Sequence, residues 1–218
     1  MQLLLTGFEP FGGSTCNPSE QVARALDGQT IGGVTIHTSI LPVDCERGPR
    51  ALLDLLSSRK PDAVLCLGEA ARRPVISVER VAVNLLDFRI PDNSGAQVVD
   101  QPVIPGGPAA YFVTIPARKV YEAIQTAGVP CELSLSAGAY LCNQVLYHLL
   151  HHIAHNGWNI PAGFIHVPSL PQQVIKHTPQ APSMSLDTSL TAIRTAIAAT
   201  AETISATAET PTQPRRQS

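Results

Sequence analysis

Residues 137–157 read AGAYLCNQVLYHLLHHIAHNG, and two kinds of chemistry compete in that stretch. Cys142 follows Ala137-Gly138-Ala139, a helix start, so its thiol falls in the first turn. There the unpaired backbone N–H groups and the positive end of the helix dipole favour a thiolate, and the same groups suit an oxyanion. Cys142 also shares the apolar side of the helix with Leu146, Leu149, Leu150 and Ile153, so an inert core thiol fits the pattern too. His148, His151, His152 and His155 recur at a spacing that could bind a metal ion. At 100° per residue they lie about 180° to 280° round from Cys142, which leaves them facing away from the thiol. A polar outer face that uses histidine is the plainer account of them.

A cysteine nucleophile needs a base, and the base needs an orienting group. His166 lies near the end of the apolar run Gly163-Phe164-Ile165-His166-Val167, stopped by Pro168. It is either a satisfied core histidine or a base at the C-terminal end of a strand. Glu79 lies in 76–84, where alternation puts it with Val81 and Val83 and turns Arg80 to the other face. A carboxylate among valines must find a partner. Arg72 or Arg73 would make that pairing structural, whereas His166 would complete a Cys-His-Glu set of roles. His37 and His177 have no suggestive context.

Residues so far apart in sequence must be brought together by a scaffold. Apolar runs predict strands over 2–7, 34–43, 63–68, 76–84, 111–115, 132–135 and 163–167. Helical spacing predicts helices over 19–26, 50–59, 119–127, the Cys142 segment and 189–206. The alternation implies an α/β protein, a three-layer α/β/α sandwich around a largely parallel sheet, with sites at the C-terminal ends of strands. The Pro/Gly/Asp-rich loop 92–108 is long enough to suspect function. We expect one domain over 1–208 and a frayed tail over 209–218.

Composition narrows the function classes. The chain of 218 residues carries 15% charged residues, below the usual ~25%, which suggests surface covered by other subunits. Net charge −2 and the lack of a basic run before Arg215-Arg216 argue against nucleic-acid or anionic-membrane partners. No apolar stretch approaches the ~20 residues of a membrane span. The N-terminus resembles a first strand rather than an export signal, and five cysteines without CxxC spacing predict reduced thiols in the cytoplasm.

Several segments together resemble one family, pyroglutamyl peptidase I (pyrrolidone-carboxylate peptidase). They are Thr6-Gly7-Phe8-Glu9-Pro10-Phe11-Gly12-Gly13 with Asn17-Pro18-Ser19, Glu79-Arg80-Val81-Ala82-Val83-Asn84, Arg89-Ile90-Pro91-Asp92-Asn93, Ala137-Gly138 with Leu141-Cys142-Asn143, and Gly163-Phe164-Ile165-His166-Val167-Pro168. They occur in the family's order and span the chain to about residue 205. The resemblance implies a cysteine omega-peptidase acting on N-terminal pyroglutamate, with Cys142 as nucleophile, His166 as base and then acid, and Glu79 orienting the imidazole. It places Arg89 beside the oxyanion hole. Phe8 and Phe11 would sandwich the lactam, Ile90, Tyr140 and Leu141 would line the pocket, and Asn17 would support it. It further implies a homotetramer with no metal and no cofactor. The family's Gly-Gln-Ala-Gly-Gly-Arg turn reads Gly68-Glu69-Ala70-Ala71-Arg72 here, with Ala139 where a hydroxyl is common and Phe88 where a small residue is common. The alternatives are a metal-dependent hydrolase using the four helix histidines and a non-catalytic small-ligand binder on the same scaffold.

Overall fold

The structure, a computed structural model, describes residues 1–175 and 181–208, with side chains up to Ile204 in the last helix. The expected tail 209–218 and His177 lie outside the described residues.

The first strand, β1 (Gln2–Phe8), is buried almost throughout, because its leucines face apolar layers on both sides. Helix α1 (Pro18–Leu26) starts where Pro18 needs no N–H partner and where Asn17 accepts from the Ser19 amide at 2.9 Å. After β2 (Thr30–Ile31) and β3 (Val34–Leu41) comes α2 (Arg47–Arg59). It begins three residues before the predicted start, because Asp44 caps the Glu46 and Arg47 amides and Pro49 is tolerated in a first turn. Lys60 ends it at φ 45°. There follow β4 (Ala63–Glu69), β5 (Ile76–Glu79), β6 (Val81–Val83), β7 (Ala110–Phe112), α3 (Ala117–Thr126) and β8 (Cys131–Ser134). The chain then forms α4 (Leu141–His155), β9 (Ala162–Val167), the single turn α5 (Pro171–Val174) and α6 (Leu186–Ala208).

Seven strands form one sheet in the order β2-β3-β1-β4-β9-β5-β8. Pairings β1–β3, β1–β4, β4–β9 and β5–β8 are parallel, whereas β2–β3 and β5–β9 are antiparallel. One core layer holds Val22 and Leu26 of α1, Val120 and Ile124 of α3 and Ile193 and Ile197 of α6. The opposite layer holds Leu52 and Leu56 of α2 with Val145, Leu146, Leu149 and Ile153 of α4. The mostly parallel α/β/α sandwich is therefore as expected.

Two strands depart from expectation. The run 76–84 is not one strand: it breaks at Arg80, whose amide donates to Ser134 O at 2.9 Å and whose carbonyl accepts from Val113 at 3.1 Å. Beyond it, β6 leaves the sheet and pairs with β7 in a separate ribbon. Glu79 thus shares its face with Ser77 rather than with Val81 and Val83. The run 111–115 shortens to β7, because Thr114 and Ile115 donate instead to the Ala162 carbonyl. Among the described residues no helix is long and apolar enough to cross a membrane.

Candidate active site

Helix α4 delivers Cys142 as expected. Gly138 precedes it at φ +81°, so glycine is required by backbone conformation and not only to leave room. Tyr140 is the cap residue and supplies no side-chain hydrogen bond, which leaves the first-turn N–H groups to another acceptor. Asn143, fully buried, ties that turn down: its Oδ1 accepts from Val83 N–H at 2.9 Å, and its Nδ2 donates to Val83 O at 2.8 Å and Leu85 O at 3.0 Å.

The sulfur lies over the sheet where β4 and β9 meet. Gly68 pairs with His166, and a Cβ at Gly68 would stand 2.8 Å from Cys142 Sγ and 2.7 Å from the Phe164 ring. Phe164 and His166 project from the same face of β9, with ring centroids 4.8 Å apart. Cys142 Sγ and His166 thus each adjoin Gly68, at the C-terminal ends of β4 and β9.

Glu79 reaches His166 across the antiparallel pair β5–β9. Its Oε1 accepts from His166 Nδ1 at 2.8 Å, with Glu79 fully buried and His166 4% exposed. Its other candidate partner is present as well: Arg73 Nη1 donates to the same oxygen at 2.6 Å. Burial pushes the Glu79 carboxyl up, but the hydrogen bond and charge of His166, then Ser134 and Arg73, outweigh it and hold the group below its ordinary value. Glu79 is thus an anion that accepts from His166 Nδ1, which leaves Nε2 outside that bond.

The thiol differs from expectation. Burial pushes Cys142 up to about 12, with the Glu79 charge adding and Arg73 opposing. Burial thus works against the helix terminus, which favours the thiolate. A base within reach of the sulfur is needed to take up its proton.

A small cavity of about 20 Å³ adjoins Cys142, lined by Phe8, Phe11, Asn17, Val43, Glu69, Tyr140 and Leu141. Five of these, Phe8, Phe11, Asn17, Tyr140 and Leu141, were expected there. Val43, at the end of β3, and Glu69 were not named as lining residues. Asn17 is buried and committed to structure, accepting from Ser19 N and Oγ at 2.9 and 2.7 Å and donating to Glu9 O at 3.0 Å. It holds the loop that carries Phe11. Tyr140 is braced on both sides, its hydroxyl donating to Pro91 O at 3.1 Å and Phe88 meeting its ring edge-on at 4.7 Å. Burial, then Asp92, Cys142 and Cys45, push its phenol up to about 12, with the Arg89 charge opposing. Arg89 is exposed, and Ile90 is half-buried at 3.6 Å from the Cβ position of Gly12. Neither lines the cavity. Asp92, buried, pins the start of loop 92–108 by accepting from Cys45 N at 2.8 Å and from Ser94 N and Ala96 N at 2.9 Å.

Glu69 Oε1 accepts from Ser169 Oγ at 2.6 Å and Gln173 Nε2 at 3.0 Å. Burial pushes this carboxyl up, and those two bonds offset it in part. The helix histidines are not a bare polar face. His151 accepts or donates at 2.9 Å with the Tyr111 hydroxyl and stacks between Tyr147 and His155, and His152 meets Trp158 edge-on. Among the described residues no three His, Cys, Asp or Glu side chains form a metal-binding group.

Comparison with known proteins places this arrangement. The pyroglutamyl peptidase family model matches residues 1–203. Pyrrolidone-carboxylate peptidase of Chromobacterium violaceum is 46% identical over 195 residues, covering 89% of this chain and 90% of that protein. Its counterpart in Pyrococcus furiosus is 44% identical over 200 residues, covering 90% and 96%. A solved variant of the Pyrococcus furiosus pyrrolidone carboxyl peptidase superposes with TM-score 0.91 at 43% identity, covering 94% of this chain and all of that one. Pyroglutamyl peptidase I of Bacillus amyloliquefaciens superposes with TM-score 0.89 at 38% identity, covering 92% and 94%. The protein is thus an α/β peptidase. The chain belongs to the pyroglutamyl peptidase I family of cysteine peptidases, which remove N-terminal pyroglutamate. The metal-hydrolase and non-catalytic readings find no support in that assignment.

Proposed function

We propose that Cys142, His166 and Glu79 are the catalytic triad with which this peptidase hydrolyses the amide bond after an N-terminal pyroglutamyl residue. The observation that carries the reading is the 2.8 Å bond between His166 Nδ1 and Glu79 Oε1, made beside the glycine over which Cys142 Sγ sits. His166 Nε2 takes the thiol proton as sulfur attacks the pyroglutamyl carbonyl carbon. The oxyanion is held by the Cys142 N–H, left uncapped at the start of α4, with Arg89 beside it. The C–N bond then breaks, and the imidazolium returns its proton to the leaving amine. Water, deprotonated by His166, attacks the thioester and releases pyroglutamate and the thiol.

A pyroglutamyl group has no charged amine, so apolar walls suit it. Phe8, Phe11, Tyr140 and Leu141, with Ile90 behind the Gly12 turn, form such walls, and Asn17 steadies them. The substrates are peptides beginning with pyroglutamate, without metal or cofactor, nucleic acid or membrane. A cytoplasmic homotetramer completes the proposal. Five free thiols favour a reducing compartment, and exposed Phe112 and Leu135, 71% and 67% accessible, favour burial against other subunits.

The test is release of 4-nitroaniline from pyroglutamyl-4-nitroanilide. We expect turnover that iodoacetamide abolishes, EDTA leaves intact and Cys142→Ala eliminates; turnover by Cys142→Ala overturns the triad. Light scattering should give four times the chain mass, and a monomer would overturn the tetramer.

A further inference from the structure

Glu79 Oε1 accepts two hydrogen bonds at once, and only one comes from the histidine. The other comes from Arg73 Nη1 at 2.6 Å. The same nitrogen lies 3.3 Å from Ser134 Oγ, and Nη2 donates to Ser136 O at 2.7 Å. One planar guanidinium thus spans the end of β5, the end of β8 and the segment 136–140 that leads into α4. It joins the carboxylate that orients His166 to the approach of the helix that carries Cys142. The Arg73 side chain is 29% exposed, so it closes the fully buried carboxylate off from solvent. Its backbone is fixed as well, the Arg73 amide donating to Ala70 O at 2.9 Å.

We propose that Arg73 is a positioning residue for the reaction: its fork locks Glu79 and the start of α4 in register, and its fixed charge offsets the Glu79 charge. The proposal rests on the triad reading above. An oxygen shared between a guanidinium and an imidazole is a weaker pull on the imidazole proton than a lone carboxylate. Arg73 therefore keeps Glu79 as an orienting group while limiting how far it stabilises the imidazolium. Its charge also opposes Glu79 at the Cys142 sulfur, where it favours loss of the thiol proton. A lysine would supply the charge without the second donor that reaches Ser136.

The titratable groups that face the guanidinium or share its partners are Glu79 on β5, Glu132 on β8 at 4.0 Å, His166 on β9 through the shared Glu79 oxygen, and Cys142 on α4 through its charge. Arg72 beside it is exposed. Removing a fixed positive charge favours proton uptake by every one of these groups. Both limbs of the pH profile must then move the same way, upward, whichever group each limb reports.

The experiment measures kcat and KM against pH for the parent, Arg73→Gln, Arg73→Lys and Cys142→Ala, with circular dichroism on each. For Arg73→Gln we expect kcat to fall about tenfold with KM little changed, and both limbs to rise by about half a pH unit or more. For Arg73→Lys we expect the limbs to return to the parent positions while kcat stays several-fold low. Limbs unmoved in a folded Arg73→Gln overturn the proposal. If Arg73→Gln does not fold, Arg73→Lys decides, and parent-like kcat in it overturns the proposal. Turnover by Cys142→Ala would mean instead that the triad reading has failed.

Discussion

Gly68 faces the sulfur of Cys142 so closely that a methyl group on its Cα would lie 2.8 Å from Sγ. The same glycine pairs with His166 across β4 and β9, so the nucleophile and its base are referred to one backbone position. Strand spacing is fixed by hydrogen bonding, so Gly68 and the backbone of His166 are held at a set separation beneath the sulfur.

Gly68→Ala is the direct check of that relationship. The added methyl meets Sγ on one side and the Phe164 ring at 2.7 Å on the other, so one of them must move. Overpacking of this kind costs about 1–3 kcal/mol, and a misplacement near 1 Å at reacting atoms lowers rates by roughly a hundredfold. We expect kcat to fall at least tenfold and the melting temperature to drop by several degrees. Steady-state kinetics and thermal unfolding read the two effects, and a parent-like kcat would show that the sulfur does not depend on this contact.

Asn143→Ala tests how the helix start is held. The buried amide satisfies the Val83 N–H and the carbonyls of Val83 and Leu85, and alanine leaves all three without their partner. These bonds are partly buried, and an orphaned buried group costs about 1–3 kcal/mol, so a stability loss of roughly 1–3 kcal/mol is expected once the chain relaxes. The loss falls on the turn that presents Cys142, so kcat should suffer more than KM. Denaturant titration together with kcat and KM checks this, and unchanged stability would contradict it.

Glu79→Gln separates orientation from charge. The amide can no longer act as a full anion toward His166 Nδ1 or Arg73, and we expect kcat/KM to fall about a hundredfold or more. Stability changes with a definite sign. The native Glu79 carboxyl is held below its ordinary value, so its contribution is present above the unfolded pKa, about 4.3, and fades as pH falls through the native one. The parent should therefore lose its stability advantage over Glu79→Gln on acidification below about pH 4. Melting temperatures at pH 3, 5 and 7 measure it, and a gap that does not narrow toward pH 3 refutes the assignment.

The parts of this site that sequence reveals are those whose position is set by local pattern. Cys142 is placed by a helix start, and His166 by an apolar strand ended at a proline. What the pattern hid came from contacts between distant segments. The run 76–84 reads as one strand in sequence, yet Arg80 is captured by Ser134 and Val113 and splits it. Glu79 could pair with an arginine or with His166 on sequence grounds, and it pairs with both, because β5 lies between β9 and β8. The helix terminus argues for a thiolate, whereas the burial that pushes the thiol up comes from distant segments and is not a local property. Val43 lines the cavity where distant segments hold its backbone, its amide donating to Glu9 Oε1 at 3.0 Å and its carbonyl accepting from Asn93 at 2.9 Å.

Glu69 offers the last test, because it puts a carboxyl in the wall of the Cys142 cavity. Burial pushes its pKa up, so folding disfavours the ionised form. Its stabilising contribution is then fully present below the unfolded pKa, about 4.3, and lost as pH rises through the native value. Glutamine keeps an oxygen that can accept from Ser169 and removes the buried charge. We expect Glu69→Gln to melt higher than the parent at pH 7 and to lose that advantage at pH 3.5. The Glu69 charge also raises the Cys142 thiol, so the variant's Cys142 should alkylate faster with iodoacetamide at pH 8. Thermal unfolding at the two pH values and mass spectrometry of the modified peptide read these outcomes. A variant no more stable at pH 7 than at pH 3.5, relative to the parent, would mean that the carboxyl is not held against its charge in this wall.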